Sequence, residues 1–458
     1  MRRLSILLCS LGLAACSAFT PVPTPPTPPT PTPPIVEPPI VIPPLPPLPV
    51  GRQGAVRLEG RAFADADGPW LAAGTTLFWA LWGEKHDPER LEQNLAWLAE
   101  AGADYVRILG MVGSESWADR VIDPDAADYW TTVEKLDARL ARHGLRFQIT
   151  VFADAQAMMP NTIARPGFLD RWVQYANAHP HRVTVIEIAN EYWQNGLDLD
   201  ELVRLTTRAN AATSVLVAPS APGCGTYPEG ETPDAVRCRA EWAALAAVSD
   251  LMGPHFDRNI GTSDGVWRPV RQPWEMLFTP PAKAYVNNEP IGPQSSVAAD
   301  DGPDRLYMAA AVTWLTGGAA YTLHTGAGIR GGGKFDLERG RSANLWEVPR
   351  IADTWAGLRA IRALLPPRLS NCTAKNAHWP DAPLSVDPTT LVRAYQAVCS
   401  DGTFVALPIG VQTGGTIFTT RVPLELDGRT LAAGDSLPLS TTSAVWVGKL
   451  LTPGVRVH

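Results

Sequence analysis

Eight short apolar runs rich in β-forming residues alternate with longer amphipathic runs between residues 72 and 364. Runs that are apolar throughout, each followed by a helical segment, indicate strands buried on both faces of a parallel sheet. A repeat of about 30 to 40 residues predicts an α/β fold of the eight-stranded (β/α)8 TIM-barrel type, with a doubly wound open sheet as the alternative. The strand-like runs are 76–80, 105–109, 147–152, 183–189, 214–218, 251–253, 284–286 and 319–323.

The intervening amphipathic runs have the spacing of helices. Asp87 followed by Pro88 is typical of a helix start, with an N-cap residue and a proline at the first helical position. The runs predict helices over 87–101, 129–143, 168–178, 199–212, 234–248, 303–315 and 343–364, and a poorly marked helix near 273–277. Before the barrel, 55–64 and 69–71 predict a hairpin that closes the barrel floor.

The pattern changes after residue 367, and no helix signal follows. Short strand-like runs separated by Gly and Asp turns predict a small antiparallel β-sandwich over 368–458, which either binds carbohydrate or stabilises the barrel. The runs are 390–395, 404–408, 416–420, 436–439 and 444–449. We therefore divide the chain into 1–16, 17–50, the barrel domain 51–367 and the sandwich 368–458.

The N-terminal segment has the pattern of an export signal. Two arginines precede a short apolar run, which ends in Leu13-Ala14-Ala15-Cys16 and resembles a bacterial lipoprotein lipobox. That resemblance implies lipidation of Cys16 and a protein exported and anchored to the membrane of the cell envelope. Ser17 favours the outer membrane or cell surface; ordinary signal cleavage with an incidental Cys16 is the alternative.

Residues 17–50 form a proline-rich segment, with 16 prolines among the 29 residues from Pro21 to Pro49. Proline cannot donate to a sheet ladder, so this segment is predicted to be a polyproline II spacer. The net charge of −7 and the lack of a basic cluster exclude a nucleic-acid partner.

Four cysteines remain after Cys9 and Cys16 are set aside: Cys224, Cys238, Cys372 and Cys399. Two local disulfides, 224–238 and 372–399, would each close a short loop, but three pairings are possible and sequence does not select one. A zinc site is a poor alternative, because neither pair has close CxxC spacing.

Polar residues stand where several barrel strands end, which is where TIM barrels carry their reactive groups. Arg107 lies on the second strand, and Asn190-Glu191 follow the fourth. The sixth strand leads into His255 and Asp257, the seventh into Glu289, and the eighth into His324.

An Asn-Glu pair after the fourth strand and a Glu after the seventh resemble the glycoside hydrolases of clan A, which include cellulases and mannanases. Glu191 and Glu289 are 98 residues apart, close to three βα units of about 31 residues each. The resemblance covers residues 55–365. The sequence departs from many clan members in having His324 instead of Trp after the eighth strand, and from family 5 enzymes in having Asp257 instead of Tyr after the sixth. It also has Asp154, and no clear His, after the third strand.

The resemblance implies a retaining glycosidase that cleaves β-linked O-glycosidic bonds of poly- or oligosaccharides. Glu191 would be the acid/base and Glu289 the nucleophile, with Arg107 favouring the charged form of Glu289. Asn190 would bind the sugar 2-hydroxyl, and His255 would orient a carboxylate or a hydroxyl. Trp193, Trp79, Asp257 and His324 complete the expected substrate-binding residues.

Structural interpretations stand beside these roles. Glu187 shares a strand face with Glu191 and is expected to support the site from below, paired with a basic group. Arg107 and His255 would then be buried structural partners, and the tryptophans would serve packing. The GxSxG pattern at 261–265 lacks the strand and helix of a nucleophile elbow, and the glycine cluster 328–333 lacks a GK[ST] ending.

The rival functions are a carbohydrate-binding lipoprotein without turnover and a transglycosylase on the same scaffold. No metal or organic cofactor is expected, because acid, base and nucleophile all come from side chains. A monomer is expected.

Overall fold

The computed structural model describes residues 51–222, 233–256, 266–293, 301–331, 344–410, 416–439 and 445–451 of the 458 residues. The predicted signal, Cys16 and the spacer lie outside these ranges, as do Cys224, Asp257 and the GxSxG pattern. Within them, no helix combines the length and apolarity that a membrane crossing needs.

A three-stranded antiparallel sheet precedes the barrel. It consists of β1 (Arg57–Glu59), β2 (Ala62–Asp65) and β3 (Gly68–Trp70). Arg146, at the start of a barrel strand, donates to Asp65 at 2.9 Å. The sheet therefore covers the end of the barrel where the strands begin, as predicted for the floor hairpin. The predicted strand over 55–64 is, however, itself a hairpin made of β1 and β2.

The barrel strands are β4 (Ala72–Thr76), β5 (Tyr105–Leu109), β6 (Arg146–Phe152), β7 (Val183–Ala189), β8 (Val217–Ala218), β9 (Ser220–Pro222), β10 (Gly253–His255), β11 (Tyr285–Asn287) and β12 (Gly318–Leu323). They pair in parallel in the order β11-β12-β4-β5-β6-β7-β8, and β9 pairs with β10. A parallel bridge from Met252 to Tyr285 closes the cylinder. Segments β8 and β9 make one strand, interrupted at Pro219, which has no N–H for the ladder. The predicted eight-stranded barrel is confirmed.

Helices follow the strands around the outside. They are α1 (Ala80–His86), α2 (Pro88–Ala101), α3 (Tyr129–Arg142), α4 (Ala155–Met158), α5 (Arg165–Ala178), α6 (Leu199–Ala212), α7 (Pro233–Ala246), α8 (Arg268–Glu275), α9 (Pro303–Leu315), α10 (Gly326–Arg330) and α11 (Pro349–Leu364). Asp198 caps α6 by accepting from the Glu201 backbone N–H at 2.7 Å, a type of cap worth about 1 kcal/mol. Asp87 occupies the N-cap of α2 without a side-chain capping bond.

The first barrel strand lies earlier than the sequence suggests. The predicted run 76–80 contains only the end of β4, and its apolar residues lead into α1 and are buried there. The true strand contains Ala72, Ala73 and Gly74, which are poor strand formers. A Cβ on Gly74 would lie 2.5 Å from the Tyr105 ring. The neighbouring strand thus dictates a small residue here, and the prediction for this strand was wrong for that reason.

Two antiparallel sheets form the C-terminal sandwich. One contains β13 (Thr373–Asn376), β15 (Arg393–Val398), β16 (Thr403–Ile409), β21 (Trp446–Leu450), β18 (Leu424–Leu426) and β19 (Arg429–Leu431) in that order. The other contains β14 (Leu384–Val386), β17 (Ile417–Thr420) and β20 (Ser436–Pro438). Buried side chains from both sheets, Phe404 and Phe418 among them, share one apolar core. The predicted sandwich is confirmed.

Aromatic stacking joins the sandwich to the barrel. Trp274 of α8 stacks on Tyr395 of β15, with ring centroids 4.1 Å apart and planes 21° apart. Such a pair contributes about 0.5 to 1.5 kcal/mol beyond its area burial. A Cys372–Cys399 disulfide ties the start of the sandwich to the turn between β15 and β16. The sandwich therefore packs on α8, the helix that follows β10 in the chain.

Candidate active site

The polar side chains predicted at strand ends converge at one end of the barrel. Arg107 lies on β5, Glu191 follows β7, His255 ends β10 and Glu289 follows β11. Because all barrel strands are parallel, these positions share the C-terminal mouth, where TIM barrels hold their reactive groups. The structure thus brings together residues from four separate βα units.

Arg107 links three side chains at this end of the barrel, those of Glu187, Glu289 and Asn190. Its buried guanidinium donates from Nε to Glu187 Oε2 at 2.8 Å, from Nη1 to Glu289 Oε1 at 2.6 Å and from Nη2 to Asn190 Oδ1 at 2.9 Å. Burial lowers the pKa of Arg107, but Glu187 and Glu289 outweigh it and hold that pKa above its ordinary value. A planar fork of donors fixes all three acceptors at once, which a lysine ammonium would not do.

Glu187 lies beneath the mouth with no solvent exposure. Besides Arg107, it accepts from Thr150 Oγ1, from Gln148 Nε2 at 3.2 Å and from Asn288 Nδ2 at 2.7 Å. Burial would raise the pKa of Glu187, but Arg107 and His255 hold it below its ordinary value. The carboxylate is therefore ionised and surrounded by donors, the arrangement of a supporting group.

His255 stands among three carboxylates. Its Nδ1 lies 3.4 Å from Glu289 Oε2 and 3.5 Å from Glu191 Oε1, and its Nε2 lies 3.8 Å from Glu187 Oε1. These distances are ion-pair contacts rather than short hydrogen bonds. Burial lowers the pKa of His255, but Glu289, Glu187 and Glu191 raise it well above the ordinary value. The three carboxylates therefore favour the protonated form of the ring.

Glu289 is ionised in this environment. Only 5% of the residue is exposed, and burial alone would raise its pKa. The neighbouring His255, His324 and Arg107 side chains instead hold the pKa of Glu289 well below its ordinary value. A carboxylate kept charged in a nearly dry site is suited to nucleophilic attack.

Glu191 differs from Glu289 in exposure and backbone. Its side chain is 26% exposed, and its φ of +36° lies in the left-handed region that non-glycine residues rarely occupy. One carboxylate oxygen of Glu191, one of Glu289 and a ring nitrogen of His255 lie within 4.8 Å of one another. The two glutamates therefore face each other across a small gap.

The same three groups are a possible donor set for a metal ion. Imidazole binds a metal only when the coordinating nitrogen is deprotonated. Because the neighbouring carboxylates favour the protonated ring, a cation would have to displace a proton from His255. The donor set is thus better suited to proton chemistry than to holding a metal.

The other predicted binding residues have different surroundings. Trp193 is 43% exposed, and its ring meets His255 edge-on with centroids 6.0 Å apart. His324 is buried, with Nδ1 2.9 Å from Thr76 Oγ1 and its ring edge-on to Phe78. Trp79 is only 1% exposed, and Gly331 lies directly against its ring. Trp79 consequently presents no accessible face to a sugar.

Sequence reasoning missed the donors around Glu187. Gln148 and Thr150 alternate on β6, whose other residues from Phe147 to Phe152 are apolar. Polar residues with period-two spacing in a buried strand point to a common face, and that signal was available. Asn288, directly before Glu289, was a further hint.

No protein-family model and no curated protein sequence matches this chain. Among solved structures, it is similar to a glycoside hydrolase family 5 protein from Bacteroides vulgatus, with a TM-score of 0.58 and 12% identity over 87% of this chain and 93% of that one. A second structure, described as a glycoside hydrolase, gives a TM-score of 0.56 and 13% identity over 87% and 97% of the two chains. A putative glycoside hydrolase from Bacteroides vulgatus gives 0.51 and 14% over 87% and 82%. At such identities the likeness shows the fold, and at that level the predicted resemblance to clan A barrels is confirmed.

Proposed function

We propose that the chain is a retaining glycoside hydrolase that cleaves β-linked O-glycosidic bonds of oligo- or polysaccharides. The observation that carries the proposal is the approach of Glu191, Glu289 and His255 to within 4.8 Å of one another. Retaining enzymes hold their two carboxyl groups about 5 to 5.5 Å apart, whereas inverting enzymes need about 6.5 to 9.5 Å to admit a water. The small gap favours double displacement.

In the first step, a carboxylate oxygen of Glu289 attacks the anomeric carbon while the bond from that carbon to the leaving oxygen breaks. Glu191 gives its proton to the leaving oxygen, so the departing sugar leaves as a neutral alcohol. In the second step, Glu191 takes a proton from water, and the water oxygen attacks the anomeric carbon. The bond to Glu289 then breaks, and both carboxyl groups return to their starting states.

The surroundings of the two glutamates support these roles. Arg107 and His255 keep Glu289 charged, and Glu191 is more open to solvent, where the second-step water arrives. Arg107 Nη2 donates a hydrogen bond to the side-chain oxygen Oδ1 of Asn190 at 2.9 Å. The Asn190 amide nitrogen is therefore the group that would donate to the sugar 2-hydroxyl.

The test is a screen of the purified chain on β-glucan, mannan, xylan and galactan and on aryl β-glycosides, with NMR of the first-formed anomer. We expect hydrolysis with retained configuration. Glu289→Ala and Glu191→Ala should abolish turnover, whereas Glu92→Gln, a surface carboxylate paired with Arg139, should not. Inverted product, or full activity of Glu289→Ala, would overturn the assignment. Tight binding without turnover would identify a carbohydrate-binding protein, and transfer to added sugars a transglycosylase.

We also propose, from the pattern of residues 1–16, that the protein is exported and anchored through a lipid on Cys16. Metabolic labelling with a fatty acid in a bacterial host tests this directly. Label in the wild-type chain and none in Cys16→Ser is expected; equal labelling of both would contradict the proposal.

A further inference from the structure

Two cavities lie side by side at the floor of the barrel, at the opposite end from Glu191 and Glu289. The outer cavity has a volume of about 520 Å³ and is lined by residues of β3, of α11 and of the segment that follows α11. The inner cavity has a volume of about 170 Å³ and is lined by Gly51 and by residues at or beside the starts of β5, β6 and β7. Arg52 and Trp70 line both, so the two floor cavities share a wall.

Arginine side chains supply most of the charge around the floor cavities. Arg52, Arg359 and Arg362 line the outer cavity, and no carboxylate does so in the described part of the chain. Arg146 and Arg52 line the inner cavity together with Asp104. Like charges that line one space repel each other unless carboxylates or a bound anion balance them. The balance between these arginines and the floor carboxylates therefore decides whether an anion is favoured here.

The carboxylates at the floor do not neutralise these four arginines. Asp65 accepts from two of them, and Asp104 accepts from Arg362 at 2.7 Å. Arg359 is exposed on α11 and makes no ion pair with any residue that the structure describes. Two carboxylates thus face four guanidinium groups. The floor cavities therefore have an excess of positive charge in a chain whose net charge is −7, and this excess favours an anionic ligand.

Two buried N–H groups in the same walls lack an acceptor. Trp70 and Arg146 are 6% and 2% exposed, and neither Trp70 Nε1 nor Arg146 Nε has a hydrogen-bond partner among the described residues. His143, which also lines the inner cavity, is paired with Glu92 at 2.7 Å. Buried N–H groups are nearly always paired, and an unpaired one points to a water, ion or ligand. Donors and cations in excess indicate a ligand that brings acceptor oxygens and negative charge.

We propose that the floor cavities bind a phosphate group, carried either by a membrane lipid headgroup or by a small soluble phosphoester. A phosphate supplies both acceptor oxygens and negative charge, and the planar fork of an arginine matches its geometry. Gly51, where the described chain begins, lines the inner cavity, so the proline-rich spacer joins the body at this end. With a lipid headgroup as the source, the mouth of the barrel would face away from the membrane. The site is independent of the proposed glycosidase activity.

The test uses residues 17–458, which keep every residue that the structure describes and lack the predicted signal and lipid. One arm measures co-sedimentation with phosphatidylglycerol vesicles and with phosphatidylcholine vesicles, whose headgroup has no net charge. The other arm measures binding of inorganic phosphate and of glycerol 3-phosphate by calorimetry. We expect Arg359→Gln to weaken binding about fivefold, because it removes one cation from the site, and Arg359→Glu to weaken it further.

Arg204→Gln and Arg204→Glu are the matched controls, because Arg204 is likewise exposed on an outer helix, α6, without an ion pair to the described residues. These variants should bind as the wild-type chain does. An effect of Arg359 confined to phosphatidylglycerol vesicles assigns the site to a lipid headgroup, and one seen with the soluble phosphates assigns it to a small phosphoester. Binding of neither kind of probe, or equal losses in the Arg204 variants, would overturn the proposal. Hydrolysis of soluble glycosides should be unchanged in Arg359→Gln, so the two proposals can fail separately.

Discussion

The floor and the mouth of the barrel both hold buried arginine–carboxylate networks, but the two are built differently. At the floor, Asp65 accepts from Arg52 at 2.7 and 3.0 Å and from Arg146 at 2.9 Å, and the Arg52 guanidinium lies over the Trp70 ring at 4.2 Å. Two arginines share one carboxylate there. Burial lowers the pKa of Arg146 even though Asp65 opposes this.

At the mouth the balance is reversed. Arg107 and His255 face Glu187, Glu191 and Glu289, and both cations have raised pKa values. The floor carboxylate, Asp65, is fully buried and bonded to two arginines, whereas Glu191 at the mouth keeps 26% of its side chain exposed to solvent. Arginine–carboxylate pairs thus stabilise the fold where they enclose one another. A carboxylate that stays partly exposed beside such pairs, as Glu191 does, is available for chemistry.

The largest expected effect is at the mouth. Glu289→Gln should lower kcat/KM by at least about 10⁴-fold, because the amide oxygen is a far weaker nucleophile than the carboxylate. The variant also loses the stabilisation that Arg107 and His255 give to the carboxylate, so its melting temperature should fall somewhat, but it should stay folded at the assay temperature. If the variant is instead largely unfolded, and its activity falls only in proportion to the unfolded fraction, Glu289 is a structural residue and the contrast between floor and mouth is wrong.

Asp65→Asn is the corresponding change at the floor. It leaves Arg52 and Arg146 without a buried carboxylate, and we expect a loss of about 3 to 5 kcal/mol in the free energy of unfolding. The folded fraction should retain wild-type kcat/KM. Urea unfolding and an assay at low denaturant measure the two quantities; reduced kcat/KM in fully folded protein would show that floor and mouth are coupled.

His255→Asn tests the electrostatics of the mouth. Removing the imidazolium removes a positive charge from beside Glu289, so the pKa of Glu289 rises and the nucleophile takes up a proton at higher pH. The acidic limb of the kcat/KM profile should therefore move to higher pH, by roughly one unit. A pH profile whose acidic limb does not move would refute the contribution of His255.

The smallest expected effect concerns Asp137, a buried carboxylate that belongs to neither of these two networks. Asp137, between α3 and α5, accepts from Tyr175 at 2.7 Å, and Arg182 is 3.7 Å away. Burial raises the pKa of Asp137 to about 6, since Tyr175 and Arg182 lower it too little. The unfolded chain ionises this group near pH 4, so it costs stability as pH rises from about 4 to 6.

Asp137→Asn does not titrate and lacks this cost. The melting temperature of Asp137→Asn relative to wild type should therefore increase between pH 4 and pH 7, by a few degrees. Melting curves across that range check the sign, and a difference that stays constant with pH would contradict it.

The parts of the fold that follow from local pattern were predictable. The apolar runs at Tyr105–Leu109 and Val183–Ala189, and the helices at Leu199–Ala212 and Pro303–Leu315, have the predicted bounds. Strand β4 was not predictable, because the Tyr105 ring on the next strand leaves no room for a larger residue at Gly74. Strands β18 and β19 have three residues each, which is too short for an alternation of apolar and polar residues to predict a strand.

The candidate site divides in the same way. Strand ends alone indicated the residues that meet at the mouth, including Arg107, Asn190 and Glu289. Packing decided the rest: Trp79 lies near a strand end in sequence, yet its ring is buried against Gly331 from a loop about 250 residues later. Long-range contacts of this kind are properties of the assembled barrel, and no local pattern encodes them.

The left-handed backbone conformation of Glu191 lowers the stability of the folded protein. A residue with a Cβ in that conformation costs about 1 kcal/mol or more, and glycine would avoid the cost. A glutamate at this position therefore lowers the stability of the fold, as is expected where a side chain serves the proposed chemistry rather than packing. Under that proposal, relaxed selection for activity should permit glycine here and yield a more stable, inactive protein.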